Sequence, residues 1–430
     1  MTETNSTGHE VEPSWPVSGE LPPDGCPVLP GAPVAVLHDE AFAADPGAVY
    51  ARLREFGKVA PVELAPGAVA YLVVDSQVAL DVLRNPHLFR KNPTAWTSTL
   101  EPDCPVLPLM AYQPNVLFED GIEHDRYRAA VADTLAAIDA PTLRGFCERS
   151  ADEVLSQMAP RGRADLVPEY ALQLPLRTYT MVFGCPPDLA RDIIAHLSVF
   201  FDGVDRERAG VALQQCMLRV ADLVRIKRAA PGADLVSHMI AHPAQLTDDE
   251  LVAQLTVLIG AGIEPEMAFI ANALLVLMTD ERFGSTVSGG ALPVQEALDE
   301  VLWTMPPMAN YGAHYPVCDI TLAGVVVPAQ HPVLISYAAC NTDPDLARHR
   351  RRFGHAGHLA WSAGPHACPA QQVSKVIASV GVERLLDVLP DVELSVALDQ
   401  VLWRRGPFLR APTALPVRFP PRPGPSVGDG

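Results

Sequence analysis

Cys368 is the residue of this sequence whose setting most clearly points to chemistry. It lies in the run HLAWSAGPHACPAQQ, residues 358–372, where a loop with Gly and Pro leads into an apolar stretch of helical periodicity. Amides and the positive dipole end at a helix N-terminus lower the pKa of a thiol, and a thiolate binds soft metals. One thiolate cannot hold iron alone, but it can be the axial ligand of heme iron, because the macrocycle supplies the other ligands.

Two other roles for Cys368 stay open at this level. Eight cysteines are spread along the chain, and an isolated cysteine is commonly a small buried hydrophobic residue. His366 lies two residues away, which favours a Cys/His nucleophile, but a base so near in sequence seldom reaches the geometry that such a pair needs. The rest of the chain must decide between these roles.

The composition narrows the class of protein. With 430 residues, of which 48% are hydrophobic, the chain can bury a large core. Its net charge of −19 disfavours nucleic acid and anionic membranes as partners. The cysteines form no CxxC pair, the N-terminus is polar and acidic, and no segment has the uninterrupted apolar length of a membrane span. We therefore predict a cytoplasmic protein with no nucleic-acid or membrane partner.

The organisation along the chain predicts one domain, residues 31–418, between disordered tails at 1–30 and 419–430 that are rich in Pro, Gly and polar residues. Helical periodicity dominates from about residue 119 to 310. Short runs typical of strands occur at 68–74, 320–327 and 332–336. The predicted fold class is mainly α with small β-sheets.

The clearest predicted element is a long helix that begins after a capping box at residues 247–250 and continues to about residue 280. More than thirty residues would span roughly 50 Å at 1.5 Å per residue. The segment is apolar on nearly all sides, so we expect it to run through the middle of the protein.

The centre of this helix is unusual in composition. Gly260, Gly262, Glu264, Pro265 and Glu266 follow one another there. Pro265 removes the amide that would bond the carbonyl four residues earlier, at a cost of about 3 kcal/mol. A buried carboxylate must find a partner or change its pKa. A turn broken in this way, with an acid inside a core helix, indicates a site, while a surface-facing kink is the alternative.

Three further helices are predicted near the candidate site. They cover residues 292–305, the stretch that follows Cys368, and a segment that starts near Asp120. The last carries His124 and Arg128, which are four residues apart and therefore share one face. Such a pair suits an anionic group, although two exposed residues would have the same spacing. The basic run at residues 348–352 is either a docking patch for an acidic redox protein or a solvated charge run.

Taken together, these motifs resemble those of a cytochrome P450 of the soluble bacterial type, from about residue 35 to 418. The order matches throughout: a His-x-x-x-Arg helix, a long helix with Ala-Gly-x-Glu, a Glu-x-x-x helix ending in Pro-Pro, small strands, Asn-x-Asp-Pro, Arg-Phe and the Cys loop. The resemblance implies a single-domain P450 fold with the long central helix over the heme, and heme b as cofactor.

The resemblance also assigns roles to particular residues. The family's loop Phe-x-x-Gly-x-His/Arg-x-Cys-x-Gly corresponds here to Trp361, Gly364, His366, Cys368 and Ala370. It makes Cys368 the iron ligand and Trp361 an aromatic shield beside the sulfur. The residues that it implies for binding the heme propionates are His124, Arg128, His366 and His314, the last standing where the family usually has Arg. Gly364 and Ala261 are implied as further contacts with the cofactor.

Two more departures from the family pattern concern stability and mechanism. The family's Glu-x-x-Arg becomes Glu300-Val-Leu-Trp303, as in a small bacterial subgroup, and we predict that Arg352 takes the Glu300 carboxylate while Trp303 fills the volume. In the central helix the acid of the family's acid–Thr pair is Glu264, but Pro265 replaces the alcohol. Glu264 remains the predicted proton-relay acid, working through water or a substrate hydroxyl.

The function that the resemblance implies is heme-thiolate monooxygenation: hydroxylation or epoxidation of a small, mostly apolar organic molecule, with electrons from a ferredoxin-type donor. A natural-product substrate is the family's usual case. Loops at about 94–116 and 184–205 and the central helix should line the substrate pocket. The alternatives are a heme-binding module that has lost activity, and a peroxide-dependent enzyme that has less need of a proton relay.

Overall fold

The computed structural model describes residues 33–202, 206–284, 291–344, 346 and 357–426. Helices make up most of these residues and small sheets make up the remainder of the regular structure, so the predicted fold class is confirmed. The N-terminal tail predicted at residues 1–30 lies outside the described residues.

The helices are numbered here in chain order. They are α1 Glu40–Ala44, α2 Pro46–Phe56, α3 Ser76–Leu83, α4 Thr94–Thr97, α5 Leu107–Met110, α6 Gly121–Ala136, α7 Ala140–Met158, α8 Gln173–Val182, α9 Pro187–Asp202, α10 Arg206–Ala229, α11 Leu235–Ala241, α12 Asp248–Thr279, α13 Glu281–Gly284, α14 Ala291–Thr304, α15 Tyr337–Asn341 and α16 Gln371–Val388. Short 3₁₀ turns lie at Ala159–Arg161 and Leu398–Gln400, and a π-helical turn lies at Val167–Ala171.

The strands are β1 Ala35–Val36, β2 Val59–Ala65, β3 Ala68–Val73, β4 Phe89–Arg90, β5 Arg163–Asp165, β6 Asn310–Pro316, β7 Ile320–Leu322, β8 Val325–Val327, β9 Val333–Ser336, β10 Glu393–Leu394 and β11 Pro416–Arg418. They form a six-stranded sheet of order β1-β2-β3-β9-β6-β4, a three-stranded sheet of order β10-β11-β5, and the β7-β8 hairpin. In the three-stranded sheet β11 lies between its two antiparallel partners.

Helix α12 is the long central element that the sequence predicts, and its start is fixed by local chemistry. The Thr247 hydroxyl accepts the Glu250 N–H while the Glu250 carboxylate accepts the Thr247 N–H, so the predicted capping box is confirmed. From Glu266 to Leu277 every residue is buried, whereas in the first half buried positions are interspersed with partly exposed and a few exposed ones. Pro265 is accommodated inside a continuous helix and does not divide it.

The core around α12 explains its composition. Helices α8, α10, α14 and α16 pack against it, and α7 packs against α16. By length and composition α12 could cross a membrane, but 72% of its most apolar window is buried inside the protein. Burial in a helical core accounts for this apolar surface.

Two segments differ in detail from their predicted form. The apolar run 320–327 is two strands, because Ala323 and Gly324 have φ of 48° and 87° and form a tight turn between β7 and β8. Residues 419–426, part of the tail that the composition predicts to be disordered, lie against α7 and the turn that follows it. The Phe419 N–H donates to the Gly162 carbonyl and the Arg422 N–H donates to that of Ala159.

Candidate functional site

The Cys368 loop is held in shape by its own backbone. The Cys368 N–H donates to the Trp361 carbonyl at 2.8 Å and the Ala367 N–H donates to the Gly364 carbonyl at 3.1 Å. Gly364 has φ of 71°, and a Cβ added there would lie 2.0 Å from the Leu83 carbonyl oxygen. Only glycine fits this position. The loop delivers Cys368 three residues before α16 begins.

Burial dominates the electrostatics of the Cys368 thiol. It raises the pKa of the thiol above the usual value, and the Ala370 N–H and the Arg128 guanidinium oppose this only in part. The helix dipole alone predicts the opposite direction, and that expectation is wrong because burial outweighs the dipole. A metal ion that took the sulfur would displace the proton, because the thiolate is the form that binds metals.

Four predicted propionate-binding residues come together beside this loop. His124 and Arg128 lie on α6, His314 on β6 and His366 in the Cys loop. The ring centroids of His124 and His366 are 4.0 Å apart, and those of His314 and His366 are 6.5 Å apart. The Arg128 guanidinium is near enough to the Cys368 sulfur for each to affect the pKa of the other.

Lys91, directly after β4, is a fifth member of this cluster. Its side chain is 8% exposed and its ammonium donates to the Ala313 carbonyl at 2.5 Å, next to His314. Burial lowers the pKa of Lys91 to about 8, and the Asp120 carboxylate opposes this change. Burial and then the charge of Lys91 hold the pKa of His314 well below its usual value. Lys91 is therefore charged at neutral pH while His314 is neutral.

This basic cluster lacks a matching anion among the described residues. The buried Nε2 of His124 has no hydrogen-bond partner there. Two carboxylates contact the cluster. Asp125, which is itself exposed, lies 3.4 Å from His124 Nδ1, and Asp120 accepts a hydrogen bond from the Lys91 backbone N–H. An organic dianion such as the two propionates of heme b would satisfy the orphaned donor and the buried charges. With a thiol on the same loop, the donor set fits heme.

The centre of α12 presents small residues on one side. Gly260 and Ala261 are exposed, whereas Ile259 and Ile263 beside them are buried. Small exposed side chains at this point of a core helix leave room for a bound molecule beside it. The Glu264 carboxylate is bound by Arg404 at 2.7 Å, and both side chains are partly exposed. The predicted relay acid therefore forms an ion pair with the C-terminal loop that holds Arg404.

Glu266, two residues later, has a different environment. It is 2% exposed and accepts a hydrogen bond from the Ser374 hydroxyl of α16 at 2.5 Å. Its Oε1 atom has no partner among the described residues. Burial raises the pKa of Glu266 to about 8, although Ser374 and the Ala378 N–H oppose the change. The carboxyl group is thus a neutral acid near pH 7.

Trp303 occupies the place of the family's Arg, and its ring is 1% exposed. It packs edge-to-face on the His358 ring, with centroids 5.7 Å apart. Asn341 adds a polar connection, since its amide donates to the Leu302 carbonyl and its oxygen accepts the Leu359 N–H. Ring packing and one asparagine therefore connect α14 to the segment before the Cys loop.

The predicted partner of Glu300 lies outside the described residues, as does the basic run 348–352 that contains it. Within the described part, the Glu300 carboxylate lies 3.5 Å from an Arg282 nitrogen. The prediction that Arg352 takes this carboxylate remains a prediction.

Trp361 and the predicted pocket loops can also be placed. Trp361 packs edge-to-face on Phe269 of α12 with centroids 6.2 Å apart, and its buried Nε1 has no partner among the described residues. The predicted 94–116 segment meets α12 where the Val116 N–H donates to Gln254. Residues 184–202 form the turn before α9 and α9 itself, and 203–205 lie outside the described residues.

The sequence assigns no role to two buried side chains near the candidate site, Lys91 and Glu266. A lone lysine after a two-residue strand carries no motif. Glu266 is visible as one of two acids around Pro265, but only the packing of α16 shows which acid is buried. The only hint in the sequence that an acid here is buried is the long apolar run that predicts a core position for α12.

Comparison with known proteins gives consistent matches over the whole domain. No family model matches the chain. It is 30% identical over 390 residues to the cytochrome P450 monooxygenase PikC of Streptomyces venezuelae. This alignment covers 88% of this chain and 92% of that protein. It is 30% identical over 386 residues to the mycinamicin IV hydroxylase/epoxidase of Micromonospora griseorubida, covering 86% and 94%. A variant of the mixed-function P450 MycG in complex with mycinamicin IV superposes with a TM-score of 0.77 at 28% identity, over 90% of this chain and 100% of that one.

Proposed function

The chain belongs to the cytochrome P450 family, and from that membership we propose that it is a heme-thiolate monooxygenase that inserts one oxygen atom of O2 into an organic molecule. The observation that carries the proposal is the joint placement of the Cys368 thiol and a buried basic cluster without a matching anion. Heme b with a thiolate ligand supplies O2 binding and O–O bond cleavage when bound.

The residues of this chain have separate tasks in that reaction. Cys368 would bind the iron, and His124, Arg128, His314 and His366 would bind the propionates together with Lys91. Trp361 would shield the sulfur from water, and Gly364 would let the loop approach α3. Ala261 of α12 would contact the cofactor. These assignments rest on the family resemblance, and the buried basic cluster beside the Cys loop supports those of the propionate-binding residues.

The proposed substrate is a small apolar organic molecule of the natural-product class. The relatives named above support this class, since one is a mycinamicin IV hydroxylase/epoxidase. Another relative, 28% identical, is a 2-hydroxy-5-methyl-1-naphthoate 7-hydroxylase of Streptomyces carzinostaticus. We propose a ferredoxin-type protein as electron donor and the cytoplasm as location.

The test of this function is spectroscopic first and catalytic second. The purified holoprotein, reduced and exposed to carbon monoxide, should show the Soret band typical of thiolate ligation. A screen of apolar compounds for low-to-high spin shifts then provides candidates for turnover with a ferredoxin system and, separately, with hydrogen peroxide. Product from the peroxide arm alone would favour the peroxide-dependent alternative, for which the loss of the alcohol at Pro265 matters less. A protein without heme would refute the proposal.

Lys91 provides a prediction about cofactor affinity. Lys91→Met keeps the aliphatic stem and removes the charge, and we expect hemin to bind roughly ten- to a hundredfold more weakly, because a charge-assisted hydrogen bond contributes about 1.5–3 kcal/mol. The measurement is the rate of hemin loss to excess apomyoglobin. Lys58→Met is the matched control, since the Lys58 side chain is 59% exposed and pairs with Asp75. Equal rates of hemin loss from both variants would show that Lys91 does not contribute to hemin binding.

The same lysine predicts a pH dependence. Below its pKa of about 8 the Lys91 ammonium is charged without a ligand present. Above that pH the side chain is a neutral amine that must gain a proton before it can pair with a propionate, so hemin affinity should fall as the pH rises through 8. Lys91→Arg keeps its charge there and should remove this dependence.

A further inference from the structure

We propose that Glu266 is the proton-relay residue for O2 reduction in this protein, replacing the acid–alcohol pair that Pro265 interrupts. The inference depends on the proposed monooxygenase function. It concerns a side chain that the family resemblance passes over in favour of Glu264.

The first argument is the different state of the two acids. Glu264 is partly exposed and its carboxylate is bound by the Arg404 guanidinium at 2.7 Å. Glu266 is 2% exposed, forms no ion pair with any described cation, and has one free carboxyl oxygen. A relay acid must hold a proton that it can release, and burial keeps the Glu266 carboxyl group protonated near pH 7.

The second argument is position. Glu266 follows Pro265, whose missing N–H leaves the Ala261 carbonyl without its helical donor. Ala261 is itself exposed on α12. Ser374, the partner of Glu266, lies six residues after Cys368 on α16. The carboxyl group therefore lies between α12 and α16, the helix that follows Cys368.

The groups that face Glu266 are neutral or weakly acidic. Ser374 on α16 donates to it, and Tyr179 on α8 and Cys147 on α7 lie within its electrostatic reach, as does Cys368. Burial raises the pKa of Tyr179 well above its usual value and that of Cys147 to about 12, so both stay protonated at neutral pH. Among the described residues no cation contacts Glu266 to hold it ionised.

The proposed step is a proton transfer that balances with the overall reaction. Insertion of one oxygen atom consumes O2, two electrons and two protons, and the second oxygen atom leaves as water. The electrons come from the redox donor. The O–H bond of the Glu266 carboxyl group breaks as its proton passes to a water molecule bound at the Ala261 carbonyl, and the carboxylate then regains a proton from solvent.

The experiment needs no knowledge of the substrate. Holoprotein is reduced by NADH through a ferredoxin and its reductase, and the NADH and O2 consumed are compared. Reduction of O2 to hydrogen peroxide uses one NADH per O2, and reduction to water uses two. Glu266→Gln keeps the hydrogen bond to Ser374 but has no acidic proton, and we expect it to lower the share of O2 reduced to water at least roughly tenfold.

A matched control is available on α16. Glu383 also accepts a hydrogen bond from a serine, Ser379, at 2.8 Å, but it lies towards the surface, where it pairs with Arg144. Glu383→Gln should leave the share of water unchanged. Ser374→Ala, which retains the acid but not its partner, should give an intermediate value. If Glu264→Gln lowers the share of water while Glu266→Gln does not, the proposal is wrong.

A second readout does not depend on turnover. Infrared spectra of the ferric parent protein and of each ferric variant are recorded at neutral pH and subtracted. The parent should show the C=O stretching band of a protonated carboxyl group. This band should be absent from Glu266→Gln and present in Glu264→Gln. Absence of such a band from the parent protein would overturn the proposal. These outcomes are separate from failure of the proposed function, which would appear as a missing thiolate Soret band in the parent protein.

Discussion

Replacing Cys368 with serine will abolish the Soret band typical of thiolate ligation and all donor-driven oxygenation. A hydroxyl is a far weaker ligand and electron donor than a thiolate, so both the spectrum and O–O cleavage depend on the sulfur. Residual hemin binding through the basic cluster is expected, because the Cys368→Ser protein retains Lys91, His124 and Arg128. The measurements are the carbon monoxide difference spectrum and the hemin content per chain.

Cys318 is the control for the loss of a thiol. It is a free, exposed cysteine on the turn before β7, distant in sequence from the Cys loop. Cys318→Ser should give the parent spectrum and parent hemin content. A Cys368→Ser protein with the parent spectrum would show that another residue binds the iron.

Replacing Trp303 with alanine will lower the free energy of unfolding by about 3–5 kcal/mol, the usual cost of removing a large buried aromatic side chain. The ring is 1% exposed and packs on His358, which precedes the Cys loop. The expected effect therefore reaches the cofactor as well: hemin should be lost faster, since the segment that leads to Cys368 loses its contact with α14. Chemical denaturation of parent and variant at equal heme occupancy measures the change in the free energy of unfolding, and hemin transfer to apomyoglobin measures the rate of hemin loss.

Two conservative variants separate volume from specific packing at this position. Trp303→Phe keeps an aromatic ring and should cost less than the alanine variant. His358→Phe keeps an edge-to-face partner but loses the hydrogen bond that His358 Nδ1 accepts from the Ala360 N–H, so it should impair hemin retention less than Trp303→Ala. A loss below about 1 kcal/mol for Trp303→Ala would mean that the surrounding core closes over the space, and that α14 does not position the Cys loop through this ring.

Much of the fold was predictable because its signals are local. The capping box at Thr247 and Glu250 fixes the start of α12, and the continuous apolar sequence that follows indicates burial. The Cys loop could likewise be assigned from its residue types and order. The β7–β8 turn at Ala323 and Gly324 is equally local, but an unbroken run of apolar residues conceals it.

The remainder depends on tertiary contacts that no local pattern contains. Glu264 and Glu266 are two residues apart, about 200° around the helix, so they face nearly opposite sides, and only the packing of α16 decides which side is buried. Lys91 is recognisable as a site residue only because it lies near three histidines on other elements, His124, His314 and His366. The partner of Trp303 is a histidine more than fifty positions later, which could not be identified from residues 300–303 alone.

The small sheet of β10, β11 and β5 has a consequence for biosynthesis. The Asp165 carboxylate accepts the Leu415 N–H across 250 positions of sequence, and among the described strands β5 pairs with β11 alone. During translation β5 therefore emerges long before the strand that completes it, and its hydrogen-bonding edge stays open in the nascent polypeptide. Such late, long-range pairing is slow and leaves an aggregation-prone edge exposed, so the yield of folded protein should depend on chaperones that cover this edge until translation reaches β11.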